Sequence, residues 1–174
     1  SYEEAREIYK ASSGCSAVFG GMSAALASGY CALKGRVDDS KLAEYLEHAE
    51  HIFEVAATSP SDEVYALSNA PNFYRSSHFY DELFYAANWL YIATGDKAYL
   101  DKAASYIPNL DKELGQDVLK YTWCMCWDDV MQGAMLLYAI NTKDATYINH
   151  VKKHVDYLTY DVERVDGKLA YIHN

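Results

Sequence analysis

Three times along the chain a dense apolar stretch is followed by a sparser one in which apolar residues return every three or four positions. The first dense stretch, from about Ser16 to Lys34, is built of Ala17, Gly20, Gly21, Ala24, Ala25, Ala27 and Ser28. Small residues on every face suit a helix crowded by neighbours on all sides. Gly35 ends it, and Asp38-Asp39-Ser40 is a start signal for a second helix running to about Thr58. That helix carries Leu42, Tyr45, Leu46, Ala49, Ile52, Phe53 and Ala56 as one stripe with Glu and His opposite, the pattern of a half-exposed outer helix. The alternation recurs as an apolar helix over Tyr80 to Ala93 and a short one from Asp96 to Ile107, stopped by Pro108. It recurs again as Asp128 to Ile140 and Asp144 to Thr159. Residues 59–78 and 108–126 have no periodicity and are expected to be long loops, where sites concentrate on helical scaffolds. Val165-Asp166-Gly167-Lys168 predicts a turn, with room for a small hairpin around it.

The second and third pairs echo one another. Asp81-Glu82 opens an apolar run that closes on Thr94-Gly95-Asp96, and Asp128-Asp129, about 47 residues later, opens one that closes on Thr142-Lys143-Asp144. Leu90-Tyr91 returns as Leu137-Tyr138. A unit repeating at this period implies stacked helical hairpins. The expected fold is all-α, an α/α toroid whose inner and outer helices alternate. Closing six such pairs takes roughly twice this length, so three hairpins make an incomplete arc.

Composition sharpens the picture in two ways. Among 174 residues there are 17 tyrosines and three tryptophans, and such aromatics serve either as amphipathic helix fillers or as surfaces for sugar and apolar ligands. The net charge of −10 argues against nucleic acid and anionic membrane surfaces as partners. No uninterrupted apolar run approaches the about 18–20 residues of a membrane span. Cys15 and Cys31 would lie roughly 24 Å apart on one helix, too far to pair, and Cys124-Met125-Cys126 lacks zinc-knuckle spacing; buried free thiols are expected.

Candidate chemistry gathers where the echoed helices begin. Asp81-Glu82 and Asp128-Asp129 should start neighbouring inner helices on one rim. Carboxylates there can cap free N–H groups, form an oxygen cage for calcium, or act as a paired-carboxylate hydrolase site. Aromatics cluster at the same places: Phe73, Tyr74, Phe79 and Tyr80 before one pair, Trp123 and Trp127 before the other. They can stack on sugar rings or pack the core, and packing is favoured for Phe79 and Trp127. His78 is either a ligand-binding donor or a solvated loop residue.

The segment Phe73-Tyr74-Arg75-Ser76-Ser77-His78-Phe79-Tyr80-Asp81-Glu82-Leu83, followed by Ala86-Ala87, Trp89-Leu90-Tyr91, Ala93-Thr94-Gly95-Asp96 and Tyr99-Leu100, resembles the middle of a glycoside hydrolase family nine cellulase. Trp127-Asp128-Asp129, then Gly133-Ala134 and Leu136-Leu137, resembles the next block of that family, and Leu46-Glu47-His48-Ala49 also fits. The resemblance covers nearly the whole of residues 1–174 and implies part of a catalytic domain of (α/α)6 type. It implies an inverting endo-1,4-β-glucanase, a secreted hydrolase acting on cellulose or related β-glucan polysaccharide. The family's catalytic base lies in an N-terminal D-A-G-D motif and its acid is a Glu near the C-terminus; neither motif occurs here. Residues 1–174 are therefore expected to contribute substrate cleft without the acid–base pair, with no catalytic residue of their own, and to be inactive alone.

By the same resemblance a structural calcium would be held by the carbonyls of Ser77 and His78 and by the side chains of Asp81, Glu82 and Asp128. His78 stands where relatives have Gly. Phe73, Tyr74 and Trp123 match cleft-lining aromatics, and Ser76 a position that can be aromatic in relatives, implying one weaker subsite. The open arc is expected to self-associate through inner-helix flanks such as those of Ala24 and Tyr85. The other function class that fits the residues is a non-catalytic helical-repeat module binding a glycan or a protein.

Overall fold

The computed structural model describes residues 8–162, together with the backbone of Arg164–Val165 and Lys168–Leu169. Its helices are α1 (Ser16–Leu33), α2 (Asp39–Thr58), α3 (Glu63–Ala66), α4 (Tyr80–Thr94), α5 (Lys97–Tyr106), α6 (Met131–Thr142) and α7 (Ala145–Asp156). Short 3-10 turns cover Ala70–Asn72 and Ile107–Asn109, each built around a proline, and a π-helical turn covers Tyr157–Asp161. The two-residue strands β1 (Arg164–Val165) and β2 (Lys168–Leu169) pair antiparallel. The expected hairpin is present, and its turn at Asp166-Gly167 lies outside the described residues.

The helices form three hairpins, α1–α2, α4–α5 and α6–α7, with α1, α4 and α6 side by side as an inner row. The fold is the expected arc of an α/α toroid. Helix α4 sits between α1 and α6 with α5 outside it, which explains its burial: Leu83, Phe84, Ala86, Ala87 and Leu90 are inaccessible to solvent. The striped outer helix α2 buries Leu42, Ala49, Phe53 and Ala56, the centre of the predicted face.

Helix α1 has the length and mean hydropathy of a membrane span, which the expectation from uninterrupted apolar runs missed, because its alanines with Val18, Phe19, Met22, Leu26 and Leu33 raise the average although Gly and Ser interrupt the run. Only 28% of it is buried. Its serines show why it belongs against protein: Ser16 and Ser23 Oγ donate to the carbonyls of Ala56 (3.1 Å) and Ala49 (2.7 Å) on α2. At Gly20 it meets α4 so closely that a Cβ there would fall 2.9 Å from Glu82 Cβ. A polar latch joins α4 to α6, where Asn141 Nδ2 donates to the fully buried Asn88 Oδ1 at 3.0 Å.

The closing halves of the echo are the same turn twice. Gly95 and Lys143 both take left-handed φ, +74° and +56°, after α4 and α6. Thr94 and Thr142 hydroxyls donate to carbonyls four residues back, and Asp96 and Asp144 accept from Ala98 N–H (2.9 Å) and Thr146 N–H (2.7 Å) as N-caps.

The opening halves differ. Asp81-Glu82 lies in the first turn of α4 as expected, whereas Asp128-Asp129 precedes α6. Residues 126–129 close a tight turn instead, Cys126 N–H donating to Asp129 O at 2.8 Å. The cysteines are free, and only Cys15 is buried; Cys31, Cys124 and Cys126 are half-buried because they sit on the inner row's edge and in the 108–126 connection.

Candidate functional site

The rim where α4 and α6 begin carries a network of charged side chains. Asp81, 3% exposed, spans two elements: Oδ2 accepts from Val130 N–H at 2.8 Å and Oδ1 lies 2.9 Å from His78 Nδ1. Asp129 Oδ1 accepts from Met131 N–H at 3.0 Å. The carboxylates thus do cap free helix N–H groups, but Asp81 of α4 serves the start of its neighbour α6, which pins the two hairpins together.

His78 is no solvated loop residue. Its Nε2 lies 2.8 Å from Asp111 Oδ2, so the ring bridges two carboxylates. Lys120 Nζ completes the chain, 2.7 Å from Asp111 Oδ2 and 3.2 Å from Asp129 Oδ2, and lies over the Trp123 ring. The hydrogen bond His78 donates to the Asp81 carboxylate, outweighing burial, raises His78 to about 9. Burial alone would push Asp81 up, but its partners His78 and Glu82 hold it low. Burial and the Asp81 charge push Glu82 far above the carboxylate range, so it is held neutral. Burial also raises Asp129. It opposes the charge on Lys120, which Asp111 and Asp129 nonetheless keep above its ordinary value.

The connection that brings Asp111 and Lys120 here is ordered by Glu113. Its carboxylate accepts from the N–H groups of Tyr121 (2.6 Å) and Thr122 (2.8 Å) and from Thr122 Oγ1 (2.9 Å). Neither Asp111 nor Lys120 sits in a periodic segment or motif, so nothing in the sequence marks them as partners of His78.

The residues expected to hold calcium come together only in part, and they do not fit a hard cation. Asp128 reaches across to the loop before α4, Oδ1 accepting from Ser77 N–H (3.0 Å) and Oδ2 from Ser77 Oγ (2.5 Å), so its carboxylate is spent on that loop. The His78 carbonyl lies 3.1 Å from Ser76 Oγ. Both Asp81 oxygens are engaged, while the buried Glu82 Oε2 has no hydrogen-bond partner. A ring nitrogen of His78 lies with Asp81 and Glu82 oxygens in a group no wider than 4.8 Å, where an all-oxygen site for calcium would need another oxygen.

The aromatics divide differently from expectation. Phe79 packs against the core as expected. Trp127, expected to pack too, is 62% exposed and stands edge-on to Tyr74 with centroids 5.6 Å apart, because the tight turn at 126–129 carries it off the helix. Phe73 and Tyr74 are exposed, and Tyr65 OH donates to the Tyr74 carbonyl, fixing that loop. Ser76 does not face open space: Oγ donates to Asp62 Oδ2 at 2.7 Å, and Asp62 Oδ1 accepts from Ala17 N–H at the start of α1. Trp123 and Trp127 line a cavity of about 400 Å³ with Ser77, His78, Asp111 and Lys120. A second of about 310 Å³ lies on the far side of Trp127, beside Tyr74 and Glu82.

An arc of α/α hairpins with exposed aromatics and acidic residues on one rim is part of a helical toroid. The family model for glycosyl hydrolase family 9 matches residues 1–173, and the chain belongs to that family. It is 34% identical to endoglucanase B of Cellulomonas fimi over 91% of its length, covering 15% of that protein, and 33% identical to endoglucanase A of Bacillus pumilus over 86%, covering 22%. Among solved structures, endoglucanase CelQ of Clostridium thermocellum complexed with cellotriose superposes with a TM-score of 0.86 at 39% identity, over 98% of this chain and 28% of that one. Cellulase Cel9M of C. cellulolyticum does so at 0.78 and 30%, over 96% and 37%. The chain thus spans about a fifth or less of the curated relatives it matches and about a third of the solved ones.

Proposed function

We propose that this chain forms one wall of the substrate cleft of an inverting endo-1,4-β-glucanase acting on cellulose or related β-glucans. What supports the reading is the solvent-facing set of Tyr74 and Trp127 beside a cavity that also contains Trp123, within a family 9 fold. A β-linked glucan presents flat apolar ring faces edged by hydroxyls. Phe73, Tyr74, Trp123 and Trp127 offer stacking surfaces, and Asp111, Lys120 and Ser77 offer hydrogen-bonding groups. CelQ, solved with cellotriose and with cellotetraose, makes these glucans the natural probes. A polymeric substrate too large to enter a cell goes with a secreted enzyme.

Asp81 and Glu82 are buried and tied to each other and to the hairpin seam, so they serve the wall and not bond cleavage. The acid and base of the reaction are assigned to other parts of the catalytic domain. The test is cellotetraose binding followed by tryptophan fluorescence. Binding should quench or shift the emission, Tyr74→Ala should weaken binding about two- to tenfold, and no reducing sugar should appear. An emission spectrum indifferent to cellotetraose, or glucan cleavage by this chain alone, refutes the reading.

A further inference from the structure

The two ring nitrogens of His78 each face a carboxylate oxygen, Asp81 Oδ1 at 2.9 Å and Asp111 Oδ2 at 2.8 Å. A neutral imidazole has one N–H and one lone pair, so it can donate to only one of them; the other contact would set lone pair against lone pair. Both contacts together require the doubly protonated ring, with two charge-assisted hydrogen bonds. The ring is only 20% exposed, fixed between the start of α4 and the connection that leads to α6.

We infer that the His78 side chain is a built-in cation, taking the place between these hairpins that a divalent metal would otherwise hold, so that this chain binds no calcium there. Three further features agree. The carboxylates a metal would need are already spent, Asp81 on Val130 N–H and His78, Asp128 on Ser77. Lys120 supplies a second positive charge between Asp111 and Asp129, so two cations stand against the Asp81, Asp111 and Asp129 carboxylates without any metal. Glu82 leaves one buried oxygen, Oε2, without a partner, far short of the six to eight oxygens that calcium takes. A divalent ion entering this space would have to displace the imidazolium or sit against its charge. The inference does not depend on which glucan the cleft accepts.

The experiment is calorimetric titration with calcium chloride, together with thermal melts in excess calcium and in chelator, on the full chain and on His78→Gly. The unaltered chain should give no binding heat and the same melting temperature in both solutions. Removing the side chain frees Asp81 and opens the space, so His78→Gly should acquire calcium binding. At calcium a hundredfold above its dissociation constant it should melt about 5–10 °C higher than in chelator. Calcium-dependent melting of the unaltered chain overturns the inference, and so does a folded His78→Gly that ignores calcium. Should His78→Gly fail to fold, nitrogen-15 NMR of the unaltered chain at neutral pH decides. Two ring N–H protons on His78 uphold the imidazolium bridge, and a singly protonated ring overturns it.

Discussion

Two adjacent glycines on α1 should respond in opposite directions to the same substitution. A Cβ added at Gly20 would fall 2.9 Å from Glu82 Cβ, 3.0 Å from Glu82 C and 3.1 Å from Glu82 O, whereas one added at Gly21 meets nothing within 4 Å. Alanine at either site gains helix propensity, about 0.5–1 kcal/mol relative to glycine. At Gly21 that gain stands alone, and Gly21→Ala should melt about 1–4 °C higher. At Gly20 the opposing atoms include backbone, which cannot rotate away, so α1 and α4 must separate along their shared face. With backbone in the way, the cost falls in the upper part of the usual overpacking range, about 2–3 kcal/mol, leaving a net loss of about 1–2 kcal/mol once about 1 kcal/mol of propensity gain is subtracted. The melting temperature should then fall by about 2–8 °C. Parallel thermal melts by far-ultraviolet circular dichroism read both signs. A Gly20→Ala chain as stable as the parent would mean that α1 and α4 are not in contact at Glu82, and the reasoning about the seam would fall with it. A Gly21→Ala chain that loses stability would show a neighbour on that face which the arc does not have.

Two further outcomes follow from the same geometry. Folding favours protonated His78, raised from 6.5 to about 9, so its stabilisation is complete below about pH 6.5 and is lost as pH rises through about 9. The loss amounts to about 3 kcal/mol, and melting of the parent minus that of His78→Gln should shrink by about 5–10 °C from pH 6.5 to 9.5; a difference independent of pH contradicts the bridge to Asp81 and Asp111. Self-association should arise from the exposed Val18 and Met22 of α1 and Leu136 and Ile140 of α6, since Ala24, expected to be open, is 2% exposed. Light scattering that finds a monomer at all concentrations refutes this, and Met22→Lys should weaken it.

Most of the fold is legible in the residues because burial and helical periodicity are local quantities. The small-residue helix from Ser16, the stripe on α2, the stop at Pro108 and the capping Asp96 and Asp144 all act through neighbours within one or two turns. What the sequence hides is pairing across the loops. Asp111 and Lys120 reach His78 only because Glu113 folds the connection back on itself, and no pattern around either residue announces that. His78 itself reads as a misplaced glycine until its two carboxylate partners are known. The burial of Asp81 and Glu82 is equally invisible, since a carboxylate pair at a helix start usually faces water.

The echo between the second and third hairpins implies equivalence, yet the site depends on where that equivalence fails. Their closing turns match down to the threonine and aspartate hydrogen bonds, and left-handed Lys143 keeps the geometry that Gly95 adopts without strain. Their openings diverge because Cys126 and Asp129 close a turn where α4 already has a helix. Had residues 127–130 been helical, Val130 N–H would bond the carbonyl of Cys126 and leave Asp81 without its partner across the seam. Trp127 would then sit on a helix face instead of standing free beside Tyr74. A repeat specifies the scaffold, and one irregular turn at its rim turns two stacked hairpins into a cleft wall with an aromatic surface.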